Sequence, residues 1–278
     1  MLKWLSIFCS CLFVVSCSDR QPVIVVQEDP LKIHPVRYRQ NVLVEGLQAE
    51  WLESSIQAAA DAEKLRQQYP GRVSVAQFHV QDWLETPLSE QLISFLGGTI
   101  GYPKAALNRL PGEQTELQED GFIWLSPLNW QAAVQRQVIH EAPLAMALEH
   151  QVLSNHSSQL IIHIAHKQAF NENLRLVVYA VEDSVKNIFQ QGATGSYFHP
   201  SVFKNCLTAF EGDTIQLHEE FPEGNIRIKT LENLDLSQFN KSLLRLIVFI
   251  YSEDASYKKR KVLNVQEVRF GGIRYWDI

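Results

Sequence analysis

Four residues carry a thiol: Cys9, Cys11, Cys17 and Cys206. A thiol can act as a nucleophile, bind a metal, pair into a disulfide or accept a lipid, so position decides which chemistry is open. An even count in a secreted chain normally predicts disulfides. Here three of the four fall in the opening stretch, which leaves Cys206 alone. His199 lies shortly before it, and a thiolate–imidazole pair is one nucleophilic arrangement the order permits. Against that, Phe203, Leu207 and Phe210 flank the cysteine, the setting of a small core residue. His163 and His166 sit three apart on a candidate strand, so they point to opposite faces and cannot chelate one metal. His140-Glu141 opens like a helical zinc motif, but Ala142-Pro143-Leu144 follows and no second histidine completes it. Glu182-Asp183 are adjacent carboxylates that diverge in extended backbone and read as a turn. No nucleophile elbow, phosphate loop or dinucleotide fingerprint is present. The expectation is a chain with no enzyme activity, cofactor or metal site. The rival is an envelope thiol enzyme using Cys206, or a folding factor.

The cysteine-rich opening, MLKWLSIFCSCLFVVSC, has its own pattern. Lys3 supplies a positive start, Leu5 to Val15 an apolar run, and small residues precede Cys17. The run is too short to span a bilayer and stops at SDRQP, so residues 1–16 read as a secretory signal. A cysteine directly after the site resembles the lipobox of bacterial lipoproteins. It implies that Cys17 is lipidated, palmitate included, and becomes the N-terminus. Several acyl chains anchor stably where one does not. Cys9 and Cys11 leave with the signal, so no intramolecular disulfide is available to Cys206. Ser18-Asp19 lacks an aspartate directly after Cys17, which moves the expected address to the outer membrane, periplasmic or surface face open. Asp183-Ser184-Val185 and Asp213-Thr214-Ile215 resemble a short acceptor pattern for periplasmic O-glycosylation, making Ser184 and Thr214 candidates.

The elements that must position these residues are legible as period changes. With 278 residues and 46% hydrophobic side chains, the chain can fold as one large or two ordinary domains. A formal net charge of −6 argues against nucleic acid, and the one dense basic run, Lys258 to Lys261, reads as a solvated turn. Residues 17–35 are proline-bearing and read as a tether, with Val23 to Val26 a candidate edge strand. Strand and helix then alternate: strand Asn41 to Glu45, helix Glu50 to Tyr69, strand Val73 to Val80, helix Leu88 to Leu96, strands Lys104 to Asn108 and Gly121 to Leu125, helix Pro127 to His140. The first helix shows an apolar stripe at Leu52, Ile56, Ala59, Ala62, Leu65 and Tyr69. This order is that of a thioredoxin core, placed at 36–142. From Pro143 the period drops to two, with alternating runs at Leu144, Leu160, Leu174, Leu244 and Val262, which predicts a β-sandwich (Ig-like) domain over 143–278. The fold class expected is α/β plus all-β.

A thioredoxin-like enzyme works with Cys-x-x-Cys at the start of its first long helix, where the helix dipole lowers a thiol pKa. That place here is Trp51-Leu52-Glu53-Ser54-Ser55, with Leu52 and Ser55 for the cysteines. Gly101-Tyr102-Pro103 stands where the fold carries a cis-proline. The stretches VLVEGLQAEW, VSVAQFHVQDW, GTIGYPKAALNR, LRLVVYAVEDSV, QQGATGSYFHPSVFKNCLTAFEGD and LLRLIVFIYSEDASYKKRKVLNVQEV, in this order, resemble the Omp28 family of outer-membrane lipoproteins. The resemblance implies a thioredoxin-like domain followed by a β-rich one, at the outer membrane or surface, with an adhesion or receptor role. Many relatives carry the cysteine pair that this chain lacks. Trp51, Trp83, Tyr102 and Pro103 would then line a groove able to hold an extended peptide without reacting with it. Partners expected are the membrane, through the lipid, and a protein or peptide; oligomeric state is left open.

Overall fold

The computed structural model describes residues 30–277 except 34, 36, 114–118, 168, 188 and 218–225. The signal, Cys17 and the candidate strand at Val23 to Val26 lie outside the described residues. The N-terminal elements are β1 (Val42–Gln48), α1 (Ser54–Gln68), β2 (Val73–His79), α2 (Pro87–Phe95), β3 (Lys104–Leu107), β4 (Trp124–Leu125) and α3 (Pro127–Val138). β1 runs parallel to β2 and antiparallel to β3, which pairs with β4. Every residue of β1 and β2 is buried, because apolar layers cover both faces of the sheet. One face packs on α1 and α3 through Ala58, Ala62, Leu65, Trp130 and Val134. The other packs on α2 through Leu92 and Leu96. α1 starts at Ser54 rather than Glu50, since a turn holds the chain first: Leu52 N–H donates to Ala49 O at 3.2 Å. Its buried stripe is correspondingly turned, with Ser55 and Ala58 inside, Ile56 half-buried and Leu52 ahead of the helix.

The remaining strands are β5 (Leu144–Ser154), β6 (Ser157–His166), β7 (Leu174–Glu182), β8 (Val185–Asn187), β9 (Tyr197–His199), β10 (Val202–Cys206), β11 (Asp213–Ile215), β12 (Arg227–Leu234), β13 (Leu244–Ser252), β14 (Val262–Arg269) and β15 (Ile273–Arg274). The two halves share one sheet. Its order is β14-β13-β7-β10-β2-β1-β3-β4, with β11 also on β7. The seam is β10, parallel to β2 at Val202–Gln77 and antiparallel to β7. The boundary expected at 142/143 therefore does not separate two sheets. A second, four-stranded sheet, β12-β6-β5-β15, faces the β7, β13 and β14 end, and the two inner faces enclose a core that includes Leu148, Ile162, Val178, Leu246 and Ile250. Short β8 and β9 form a separate hairpin.

Two buried ion networks cross between the halves. Arg109, after β3, makes paired bonds to Glu45 on β1 (2.9 and 2.7 Å) and a third to the Tyr179 hydroxyl on β7 (3.1 Å). The Tyr179 hydroxyl itself donates to Glu45 at 2.9 Å. Arg245 on β13 grips Asp183 at 2.9 Å, Glu267 at 2.6 Å and Ser201 Oγ at 2.8 Å, and Ser201 donates to Glu63 on α1. The basic run is a short 3-10 turn, Tyr257–Lys259, then Arg260, whose guanidinium stacks 3.8 Å over the Phe95 ring centroid. Lys258, Lys259 and Lys261 are exposed as expected of a solvated turn, but Arg260 is a packing residue.

Candidate functional site

β1 and β2 run parallel, so the loops at their carboxyl ends leave the sheet on the same side, where the segment entering antiparallel β3 also arrives. Here the turn after β1 (Ala49 to Glu53) and the loop after β2 (Val80 to Thr86) meet the segment before β3 (Gly97 to Pro103). Asp82 fastens the first two together. Its carboxylate accepts the Glu50 N–H at 2.8 Å and the Leu84 N–H at 2.9 Å, and lies 2.8 Å from His79 Nδ1. The Trp51 indole N–H donates to Val80 O at 3.3 Å, which fixes the ring. Trp51 meets Tyr102 edge to face, with centroids 6.3 Å apart and planes at 80°. The Tyr102–Pro103 peptide bond is cis. Trp83, on the neighbouring loop, is 87% exposed, while Trp51 is 43% exposed. The structure thus brings Trp51 against Tyr102, with Pro103 next to it across the cis bond, and leaves Trp83 exposed on the loop after β2 whose Val80 carbonyl holds the Trp51 indole. Beyond the segment 97–104 an open cleft of about 610 Å³ continues between Ile100, Phe122 and Tyr257.

The start of α1 holds no thiol. Ser55 is buried and its hydroxyl accepts the Ala49 N–H at 3.1 Å. Leu52 packs toward the core, and its carbonyl accepts the Gln190 side-chain N–H at 3.0 Å. Gln190 belongs to the β8–β9 hairpin, which sequence reasoning missed. The hairpin latches onto this turn: Gln191 N–H donates to Glu50 O at 2.7 Å, and Asn187 donates to the Glu50 carboxylate. His199 closes the far side, with Nε2 3.9 Å from Glu50 and its ring edge-on to His79 at 4.9 Å.

The electrostatics of this floor follow from burial. Burial, and then Asp82, raise the Glu50 carboxyl above its ordinary value. Burial would also raise Asp82, but hydrogen bonds from His79 and the Glu50 and Leu84 amides outweigh it, and the net shift is downward. His199 is pushed down to about 4 by burial and then by His79. A neutral His199 and an ionised Asp82 make a fixed polar base for the aromatic rim. The ionisable residues inside largely apolar strands, Glu45 in VLVEGLQ and His79 in VSVAQFH, were the signals that could have exposed these clusters, since a buried charge demands a partner.

The other candidates are dispersed. Cys206 ends β10, with Sγ 3.4 Å from Thr208 Oγ1 and burial pushing its thiol pKa up. His199 and Cys206 have different neighbours and form no pair. His163 and His166 lie on β6, where His166 packs against Phe170. Ser184 is exposed in the β7–β8 turn, but its neighbour Asp183 is locked on Arg245. Thr214 is exposed on β11, and its hydroxyl accepts from Arg175 at 3.0 Å.

The structure is similar to HBP35 of Porphyromonas gingivalis, with a TM-score of 0.68 and 19% identity over 84% of this chain and 76% of that one. It is also similar to a crystal structure of a protein from Agrobacterium tumefaciens, with a TM-score of 0.54 and 14% identity over 83% of this chain and 94% of that one. At these identities the likeness is one of fold. No curated protein matches in sequence. Among the described residues, no helix is long and apolar enough to cross a membrane. The family described as Outer membrane protein Omp28 matches residues 90–272, well over half the length, and the chain belongs to that family.

Proposed function

We propose that this outer-membrane protein is a lipid-anchored, non-catalytic binding protein with an adhesion or receptor-like role. Cys17 carries the anchor, the N-terminal half is a thioredoxin-like scaffold without its redox pair, and the C-terminal half is an Ig-like sandwich fused to it. The observation that carries the reading is the rim itself. Trp51 stands partly exposed against Tyr102 next to Pro103, with Trp83 exposed on the adjoining loop, and the turn and helix start that would present a reactive thiol carry Leu52 and a hydrogen-bonded Ser55. Such a surface has the anchors of a peptide groove and lacks the cysteine pair of a redox site. The rival thiol enzyme finds no support at Cys206, because a thiol raised by burial is a poor nucleophile.

The test is capture. The intact anchored chain is cross-linked to its neighbours in the envelope, and the products are compared with those of a Trp51→Ala/Tyr102→Ala variant. Loss of specific adducts in a variant with an unchanged circular-dichroism spectrum supports the groove. An unchanged adduct pattern removes it.

A further inference from the structure

The rim is not only aromatic. Glu85 follows Trp83 on the same loop, and one of its carboxylate oxygens is shut off from solvent with no hydrogen-bond partner. Glu90 lies in the first turn of α2. Both carboxylates bear on Tyr102, whose hydroxyl is raised first by burial and then by Glu85 and Glu90. Glu53 stands exposed at the N-cap of α1, where with Glu50 it answers the positive end of that helix. None of Glu53, Glu85 and Glu90 forms an ion pair among the described residues. The lysine nearest in sequence to the rim, Lys104, is occupied by Glu119. Two ring faces at 80°, a third exposed ring and unpaired carboxylates are the components that recognise a cation through π-faces and counter-charge together.

We propose that this rim recognises a lysine or arginine side chain presented in an extended segment of a partner protein. Trp51 and Tyr102 supply the ring faces, Trp83 covers the stem, and Glu85 and Glu90 supply the counter-charge. The inference rests on the binding reading above and names its ligand chemistry.

The experiment titrates the intact chain in detergent with a short extended Thr-Lys peptide, and with the same peptide acetylated at every lysine, following tryptophan fluorescence. The lysine peptide is expected to bind roughly tenfold more tightly, an advantage that fades as salt rises. Glu85→Gln/Glu90→Gln, whose fold is checked by circular dichroism, is expected to bring the two peptides to parity. Trp51→Ala is expected to lose both. Equal binding of the two peptides by the unaltered chain overturns the cation inference and leaves the groove standing. If neither peptide binds, the groove reading falls with it.

Discussion

Replacing Glu45 with Gln tests the claim that one buried charge cluster joins the two halves. The change is isosteric, so packing loss is small and the effect isolates charge. Glu45 has no solvent exposure, and Arg109 has only 2%. The Arg109 guanidinium lies 4.9 Å from the Phe249 centroid and 4.8 Å from that of Tyr251, so its surroundings apart from Glu45 and Tyr179 are largely apolar rings. Removing one partner of such a pair leaves an uncompensated buried charge and costs about 3–5 kcal/mol. For a chain of this size that lowers the melting temperature by roughly 6–20 °C. The reading is a urea melt followed by tryptophan fluorescence, with near-UV circular dichroism as a second probe. Because Glu45 is on β1 and Tyr179 on β7, both probes should shift together in one transition. Replacing all three members (Glu45→Leu, Arg109→Met, Tyr179→Phe) should recover most of the loss, since no polar group is then stranded. A single substitution costing under about 1 kcal/mol, or one that shifts only one probe, would refute the reasoning.

Acid should loosen the β8–β9 hairpin. His199 is held at about 4 when folded against an ordinary 6.5, so between these values the unfolded chain binds the extra proton. Stability is then complete above about pH 6.5 and falls as pH drops toward 4, by up to about 3 kcal/mol. Glu50 opposes this, because its raised carboxyl adds stability that is lost as pH rises through its folded value. A His199→Leu variant should lose the slope in pH-resolved melts, and a retained slope assigns it elsewhere. Gly97 and Gly98 both have left-handed φ (85° and 80°), but a Cβ at Gly97 would meet the Tyr257 ring at 2.6 Å, whereas at Gly98 nothing lies within 4 Å. Gly97→Ala should cost about 1–3 kcal/mol more than Gly98→Ala in the same melts, and equal costs would count against that contact. Cys206 should react with a maleimide at least about tenfold more slowly in the folded chain than in urea, while equal rates would revive the thiol-enzyme reading.

The local order of the N-terminal half was readable because its helices and strands are marked by period and by proline or glycine stops, as at Pro70-Gly71 and Pro87. The alternation of β5, β6, β7, β13 and β14 was readable for the same reason. β10 was not. Its five residues, VFKNC, carry no alternation, and its partner on β2 is far away in sequence, so only tertiary pairing makes it a strand. The β8–β9 hairpin is shorter still, and its worth lies in side chains that meet the Glu50 turn. The nearness of Trp51 to Tyr102 was legible only through the fold analogy, which sets the turn after β1 beside the segment before β3. The His79–Asp82 and Glu50–His199 pairs beneath them were missed, because a histidine or glutamate in a buried strand names no partner by itself.

The direction of β1 also sets an orientation. The described chain enters beside Leu31 and Tyr38, which pack with Trp276 on the outer face of β5 and β6. Arg39 then bridges Glu141, and Asn41 bonds to Val265 at the point where β1 begins. The aromatic rim stands where β1 ends, roughly 23 Å further along the strand. If the lipid proposed at Cys17 anchors the chain, the strap of Leu31 and Tyr38 comes before the rim along the chain, with the length of β1 between the two.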